Sequence, residues 1–241
     1  MRDFPPRRIV CLTEETVETL YLLGEQDRIV GVSGYAVRPP QVRREKPRVS
    51  AFISADIPKI LALDPDLVLA FSDLQADIVA DLVRAGVAVH VFNQRDVAGI
   101  LAMIRSLGAM VGAADRGERL AQGLEQRLAK IAATPRPTPR PKVYFEEWDE
   151  PLISGIGWVS ELIEIAGGEE TSGRGGILSA ASRSVVTAEG LVDAEGRVTE
   201  TGADIERLNP LGGAIAVGHP LGGSGAILMT RLVHHMRDNG I

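Results

Sequence analysis

Five aromatic side chains are the residues of this sequence best placed to act on another molecule: Tyr35, Phe52, Phe71, Trp148 and Trp158. Tyr35 and Phe71 fall where short apolar runs give way to polar residues, at Thr13 and Glu14, Ser33 to Tyr35, Ser72 and Asp73, and Asn93 and Gln94, while Phe52 lies in a further loop. Aromatic faces supply area and scattered hydrogen-bonding groups fix orientation, so this mixture suits a large flat organic ligand better than a metal ion or a phosphate. Downstream, Trp148 and Trp158 lie beside Glu146, Glu147, Asp149 and Glu150. Adjacent acids on a loop are usually just solvated, so Glu147 with the two tryptophans reads as a second ligand wall rather than as an acid–base pair. The competing reading is bland: loops are polar in any protein, and Phe71 could belong to the core.

Other chemistry is poorly supplied. The four histidines, His90, His219, His234 and His235, show no metal-ligand spacing, so no metal site is expected. The one cysteine, Cys11, sits in an apolar run as a small buried residue would, which excludes a disulfide framework or a thiolate cluster. With 26 Lys and Arg spread along the chain against 32 Asp and Glu, the net charge is −6, and nucleic acid is not an expected partner. The 241 residues, 45% hydrophobic, allow one large or two modest cores. No run is apolar enough to cross a membrane, and Met1 to Arg8 leads straight into a strand-length run without a secretory leader, so the expected location is the cytoplasm.

The elements that would position these residues follow from periodicity. Ile9 to Leu12, Arg28 to Val32, Leu67 to Phe71 and Val87 to Phe92 read as buried strands. Between them Glu14 to Leu23, Lys59 to Leu63 and Ala76 to Ala85 read as helices, the first stopped by Gly24 and the last by Gly86. Strands alternating with helices argue for a parallel sheet, whose ligand crevice lies beyond the carboxyl ends of the strands. Val97 to Ala133 reads as helix almost throughout, with a break only near Gly112 and Ala113. The run Thr134 to Pro141, with prolines at every second position, cannot be helix and reads as an extended connector. Lys142 to Phe145 is then a strand, Glu146 to Glu150 the loop after it, and Val159 to Ala166 a helix ended by Gly167 and Gly168.

Four stretches carry a family resemblance: Arg8-Ile9-Val10-Cys11-Leu12-Thr13-Glu14-Glu15-Thr16, Ile29-Val30-Gly31-Val32-Ser33-Gly34-Tyr35, Ile60 to Leu69, and Glu161-Leu162-Ile163-Glu164-Ile165-Ala166-Gly167-Gly168. With the helical spine they resemble the helical-backbone substrate-binding proteins of ABC transporters for vitamin B12, haem and iron-siderophores, and within that class the cobalamin-binding branch. The resemblance covers roughly residues 8–168 and extends to 193. It implies an α/β fold of two Rossmann-like lobes bridged by a long helix, which clasp a corrinoid with little hinge motion. Tyr35, Phe52 and Phe71 match the family's aromatic contacts on the first lobe, and Glu147, Trp148 and Trp158 would face the ligand from the second. Cobalamin is then a bound ligand, with no covalent cofactor. An ABC permease is the implied partner, although the family's docking acid falls near Pro58 here.

Residues 169–200 turn rich in Gly, Ser and Thr, with Ser182 to Glu189 as the one strand-like stretch, so the second lobe reads as incomplete. From about residue 199 to 241 the chain resembles the C-terminal motif of thiolases, around Asn209-Pro210-Leu211-Gly212-Gly213-Ala214-Ile215-Ala216-Val217-Gly218-His219-Pro220-Leu221-Gly222-Gly223. A histidine in a Gly-rich turn can activate a thiol or donate to a thioester oxygen, and the resemblance gives that role to His219. Thiolase chemistry also needs two cysteines, and Cys11 is the only one in the sequence. The expected organisation is a first lobe over 1–105, the spine and connector over 106–141, a truncated second lobe over 142–198 and a thiolase-like segment over 199–241. The expected activity is binding without catalysis. An inactive thiolase-type acyltransferase fragment is the alternative, and a chimeric chain without stable function the third reading.

Overall fold

The computed structural model describes residues 4–143, 145–149 and 152–170, together with the residue pairs 185–186, 197–198 and 203–204. The described residues form two compact units, one from the N-terminal residues to Gln94 with Ala98–Glu125, the other from Arg95–Val97 with the residues from Gln126 onward.

The first unit is built on β1 (Ile9–Cys11), α1 (Glu14–Leu22), β2 (Ile29–Ser33), α2 (Val42–Glu45), β3 (Arg48–Ser50), α3 (Ile57–Ala62), β4 (Leu67–Phe71), α4 (Ala76–Arg84) and β5 (Val89–Phe92). All four strand pairings are parallel, in the order β3-β2-β1-β4-β5. Strands buried on both faces must be apolar at every position. Val10, Leu12, Val68 and Ala70 pack with Ile60 of α3 and with Ile78 and Leu82 of α4. The alternate residues Ile9, Cys11 and Leu69 face the opposite side of the sheet and are just as fully buried. The chain winds outward from β1 to β3 and then returns to place β4 on the other side of β1, so the order reverses between β1 and β4. At the amino ends the Asp66 carboxylate accepts the backbone N–H groups of Arg7 and Arg8 at 2.7 and 3.0 Å, tying the entry of β1 to that of β4.

The long helical stretch is two helices. α5 (Val97–Met110) and α6 (Ala114–Ala132) are separated at Gly112, whose φ of 74° belongs to the left-handed region that glycine enters freely. Their close approach also depends on glycine: a Cβ on Gly117 would lie 3.2 Å from the Gly108 Cα and 3.2 Å from the Ile104 carbonyl oxygen. Arg105 of α5 donates to Glu118 and Glu125 of α6 at 2.7 and 3.0 Å.

The second unit holds β6 (Lys142–Val143), β7 (Glu146–Asp149), β8 (Leu152–Ser154), α7 (Gly157–Ile165) and β9 (Glu169–Glu170), with short strands β10 (Val185–Val186), β11 (Arg197–Val198) and β12 (Ala203–Asp204). β6 pairs in parallel with β9, and β7 pairs antiparallel with β8. Glu146 to Asp149 therefore form a strand and not the expected loop, because a hairpin partner, Leu152–Ser154, satisfies their backbone. Val159 and Ile163 form a small core with Val143, Phe145, Ile156, Trp158 and Leu162. The connector 134–141 carries neither helix nor strand. Among the described residues, no helix is long and apolar enough to cross a membrane.

A polar and aromatic rim at the carboxyl end of the sheet

The carboxyl ends of β3, β2, β1, β4 and β5 form one rim, and the reversal of strand order between β1 and β4 lies at its centre. In open α/β sheets, the carboxyl ends of the strands at such a reversal are where ligands bind. Tyr35 lies two residues beyond β2, Phe52 two residues beyond β3, and Phe71 is the last residue of β4. Tyr35 is exposed, while Phe52 and Phe71 are half-buried. The fold therefore brings together at one end of the first unit three aromatic residues far apart in sequence.

The polar residues interlock. Tyr35 N–H donates to Ser33 Oγ at 3.2 Å, and the Ser33 hydroxyl donates to Glu14 Oε1 at 3.2 Å. The Thr13 hydroxyl donates to Glu15 Oε1 at 2.7 Å. Ser33, Thr13 and Ser72 are all buried at this edge, where unpaired hydroxyls would be costly. Ser72 also holds φ 59° and ψ 176°, a region nearly reserved for glycine, with its Oγ accepting Leu74 N–H at 3.3 Å. Such strain persists only where surrounding bonds dictate it, and Ser72 N–H donates to the Phe92 carbonyl at 2.9 Å.

Burial, reinforced by the neighbouring Glu15 charge, pushes the Glu14 carboxyl from its ordinary 4.5 up to about 7. Burial also raises Glu15, against the opposing hydrogen bonds from Thr13 and Gln94. The folded chain thus keeps protons that the unfolded chain releases, so this contribution to stability is complete below about pH 4.5 and is lost as the pH rises through about 7. Urea unfolding at pH 5, 6.5 and 8 is expected to show stability falling across this window. Glu14→Gln should flatten the fall and raise stability at pH 8 by up to about 3 kcal/mol. An unchanged pH slope in that variant would contradict the assignment.

An open groove of about 550 Å³ begins at Ser72, Asp73 and Asn93 and runs between α4 and the edge strand β5, over Val79, Val83 and Val91. It touches none of the three aromatic residues. Among the described residues, no three His, Cys, Asp or Glu side chains stand together as metal ligands would. Cys11 is fully buried inside β1, and burial pushes its thiol up to about 12.

In the second unit, Glu147 and Trp148 lie on β7, and Trp158 is the second residue of α7. Trp158 is half-buried and packs on Val159 and Ile163. His219 lies outside the described residues, as does nearly all of the segment from 199. One rim residue, Gln75, had no sequence signal at all. It is a single polar residue in a polar turn, yet it is fully buried.

The sequence matches the family model described as "Periplasmic binding protein" over residues 9–198. The chain belongs to the periplasmic binding protein family. A second model, "Thiolase, C-terminal domain", matches residues 194–241. Within the family, the chain is 26% identical over 217 residues to a cobalamin-binding protein of Halobacterium salinarum, covering 88% of this chain and 58% of that one. It is 29% identical over 171 residues to a vitamin B12-binding protein of Vibrio cholerae, covering 69% of this chain and 61% of that one. The match therefore spans about three-fifths of the length of these curated relatives. The crystal structure of the periplasmic vitamin B12 binding protein of Vibrio cholerae superposes with a TM-score of 0.64 at 26% identity, covering 80% of this chain and 75% of that one. The α/β architecture with its parallel sheet is that of this family, and the relatives named are binding proteins.

Proposed function

We propose that this chain binds a corrinoid of the vitamin B12 type at the rim of the first unit and leaves it chemically unchanged. The observation that carries this reading is the gathering of Tyr35, Phe52 and Phe71 at the carboxyl end of the sheet, beside the point where the strand order reverses. Aromatic faces cover the flat macrocycle and its apolar edges. The hydroxyls and carboxyls of Thr13, Glu14 and Ser33 offer partners for amide side groups on the ligand's periphery. The names of the relatives favour cobalamin over other flat macrocycles. In the second unit, Glu147, Trp148 and Trp158 are further contacts in this reading. Delivery to an ABC-type permease is part of the same proposal. Because Pro58 stands in the first turn of α3 where the family's docking acid falls, that docking would use other groups.

The thiolase-like segment adds no acyl transfer in this reading. The only cysteine is Cys11, whose buried thiol is held far from the thiolate that such chemistry requires. The ligand class is tested by quenching of intrinsic fluorescence with cyanocobalamin, haemin and a ferric siderophore titrated in parallel. Cyanocobalamin is expected to bind at least about tenfold more tightly than either of the others, a difference of about 1.4 kcal/mol. Equal or tighter binding of haemin would replace the corrinoid reading with a haem one.

A further inference from the structure

Gln75 follows β4 in the turn that leads into α4, and it is fully buried. Its Oε1 accepts Phe71 N–H at 3.0 Å, and its Nε2 donates to the carbonyls of Phe52 at 2.8 Å and Leu12 at 3.3 Å. One side chain thus joins the exits of β1 and β4 to the loop after β3. β3 and β4 are separated by two strands, a distance of about 14 Å at the usual strand spacing. To meet Gln75, the loop bearing Phe52 must arch back across the ends of β2 and β1. Its internal bonds, the Ala51 N–H to Ser54 O bond at 2.8 Å and the bridge between Ser50 and Ala55, close a tight turn. The bond from Gln75 to the Phe52 carbonyl ties that turn to the ends of β1 and β4.

We propose that Gln75 is the positioning residue of the aromatic rim, fixing the Phe52 loop and the Phe71 end of β4 as one unit before a ligand arrives. The proposal rests on the reading of the rim as the ligand site. An amide is suited to this place because it offers two donors and an acceptor on one short plane. A glutamate lacks the donors when ionised, and a leucine removes the side-chain bonds to two carbonyls and an N–H, the one to Leu12 being fully buried. Preformed geometry spares a ligand the ordering of the loop, so the loss should appear in affinity.

The test uses the full chain with Gln75→Leu and Gln75→Glu, each alone and combined with Phe52→Ala, and reads the Kd for cyanocobalamin. Gln75→Leu is expected to raise Kd about tenfold or more in the unmodified chain and by a clearly smaller factor in the Phe52→Ala chain, because one of the two rings it positions is gone. The same factor in both backgrounds, or no effect in either, would overturn the proposal. Gln75→Glu should lie closer to the unmodified chain at pH 5 than at pH 8, each compared at equal pH, since protonation returns one donor. It carries the comparison if the leucine variant does not fold, and an equal defect at both pH values counts against the role. If the unmodified chain binds no cobalamin, the ligand reading fails by itself and hydrogen exchange decides on Gln75. A Phe71 amide that exchanges at least about tenfold faster in either variant, with β1 amides unchanged, supports positioning, and an unchanged Phe71 amide contradicts it.

Discussion

Replacing Phe52 and Phe71 together by alanine is expected to raise the Kd for cyanocobalamin about 100-fold or more, with each single replacement giving about tenfold. Aromatic anchors at a rim contribute through the apolar area they remove from water, and a ring that covers even part of a macrocycle is worth about 1–2 kcal/mol. Both residues are half-buried, so part of each ring is committed to the protein and part remains for a ligand. Phe71→Ala should also lower stability, because Phe71 ends an interior strand between the fully buried neighbour Ala70 and the strained Ser72. The control lies in the same loop: Ile53 is 72% exposed, and Ile53→Ala is expected to leave Kd within about twofold of the unmodified value. Equal losses from Ile53→Ala and Phe52→Ala would mean that the loop as a whole, and not its aromatic face, meets the ligand. Calorimetric titration of the variants alongside thermal unfolding separates affinity from stability.

The second large effect concerns the crossing of α5 and α6. Gly117→Leu is expected to destabilise the chain by about 3 kcal/mol or more, because the contact it opens is backbone against backbone and no side chain can rotate away. The same helix supplies an internal contrast. A Cβ on Gly117 would meet the Gly108 Cα and the Ile104 carbonyl oxygen at 3.2 Å, whereas a Cβ on Gly123 has nothing within 4 Å. Gly117→Ala should therefore destabilise by about 1 kcal/mol or more, while Gly123→Ala should stabilise by about 0.5–1 kcal/mol through helix propensity alone. Chemical denaturation of the three variants measures both signs. Stabilisation by Gly117→Ala would show that the helices do not pack at this point.

Much of the first unit is legible because its strands are buried on both faces, so that short uninterrupted apolar runs such as Ile9 to Leu12 or Leu67 to Phe71 stand out between polar turns. The helix stops at Gly24 and Gly86 were equally plain, and both glycines hold positive φ. β3 escaped detection: it is three residues long, only Val49 is buried, and pairing with β2 rather than its own pattern makes it a strand. Glu146 to Asp149 misled for a related reason, since four polar or amphipathic residues read as a solvated loop until a partner strand pairs with them. Tyr35 and Phe71 follow from a rule of topology, that residues after parallel strands line the crevice, whereas Phe52 rests on its loop and on the family resemblance, because β3 has no strand pattern of its own. Gln75 could not be found that way. Its role depends on three partners distant in sequence or hidden on the backbone, and one glutamine in Ser72-Asp73-Leu74-Gln75 carries no sign of them.

Calorimetric titration of the unmodified full chain with cyanocobalamin tests the central claim most directly. Saturable binding of one corrinoid per chain with a Kd below about 10 μM, near −7 kcal/mol, is the expected result. No saturable heat or fluorescence change up to about 100 μM ligand, with the chain folded by circular dichroism, would contradict it.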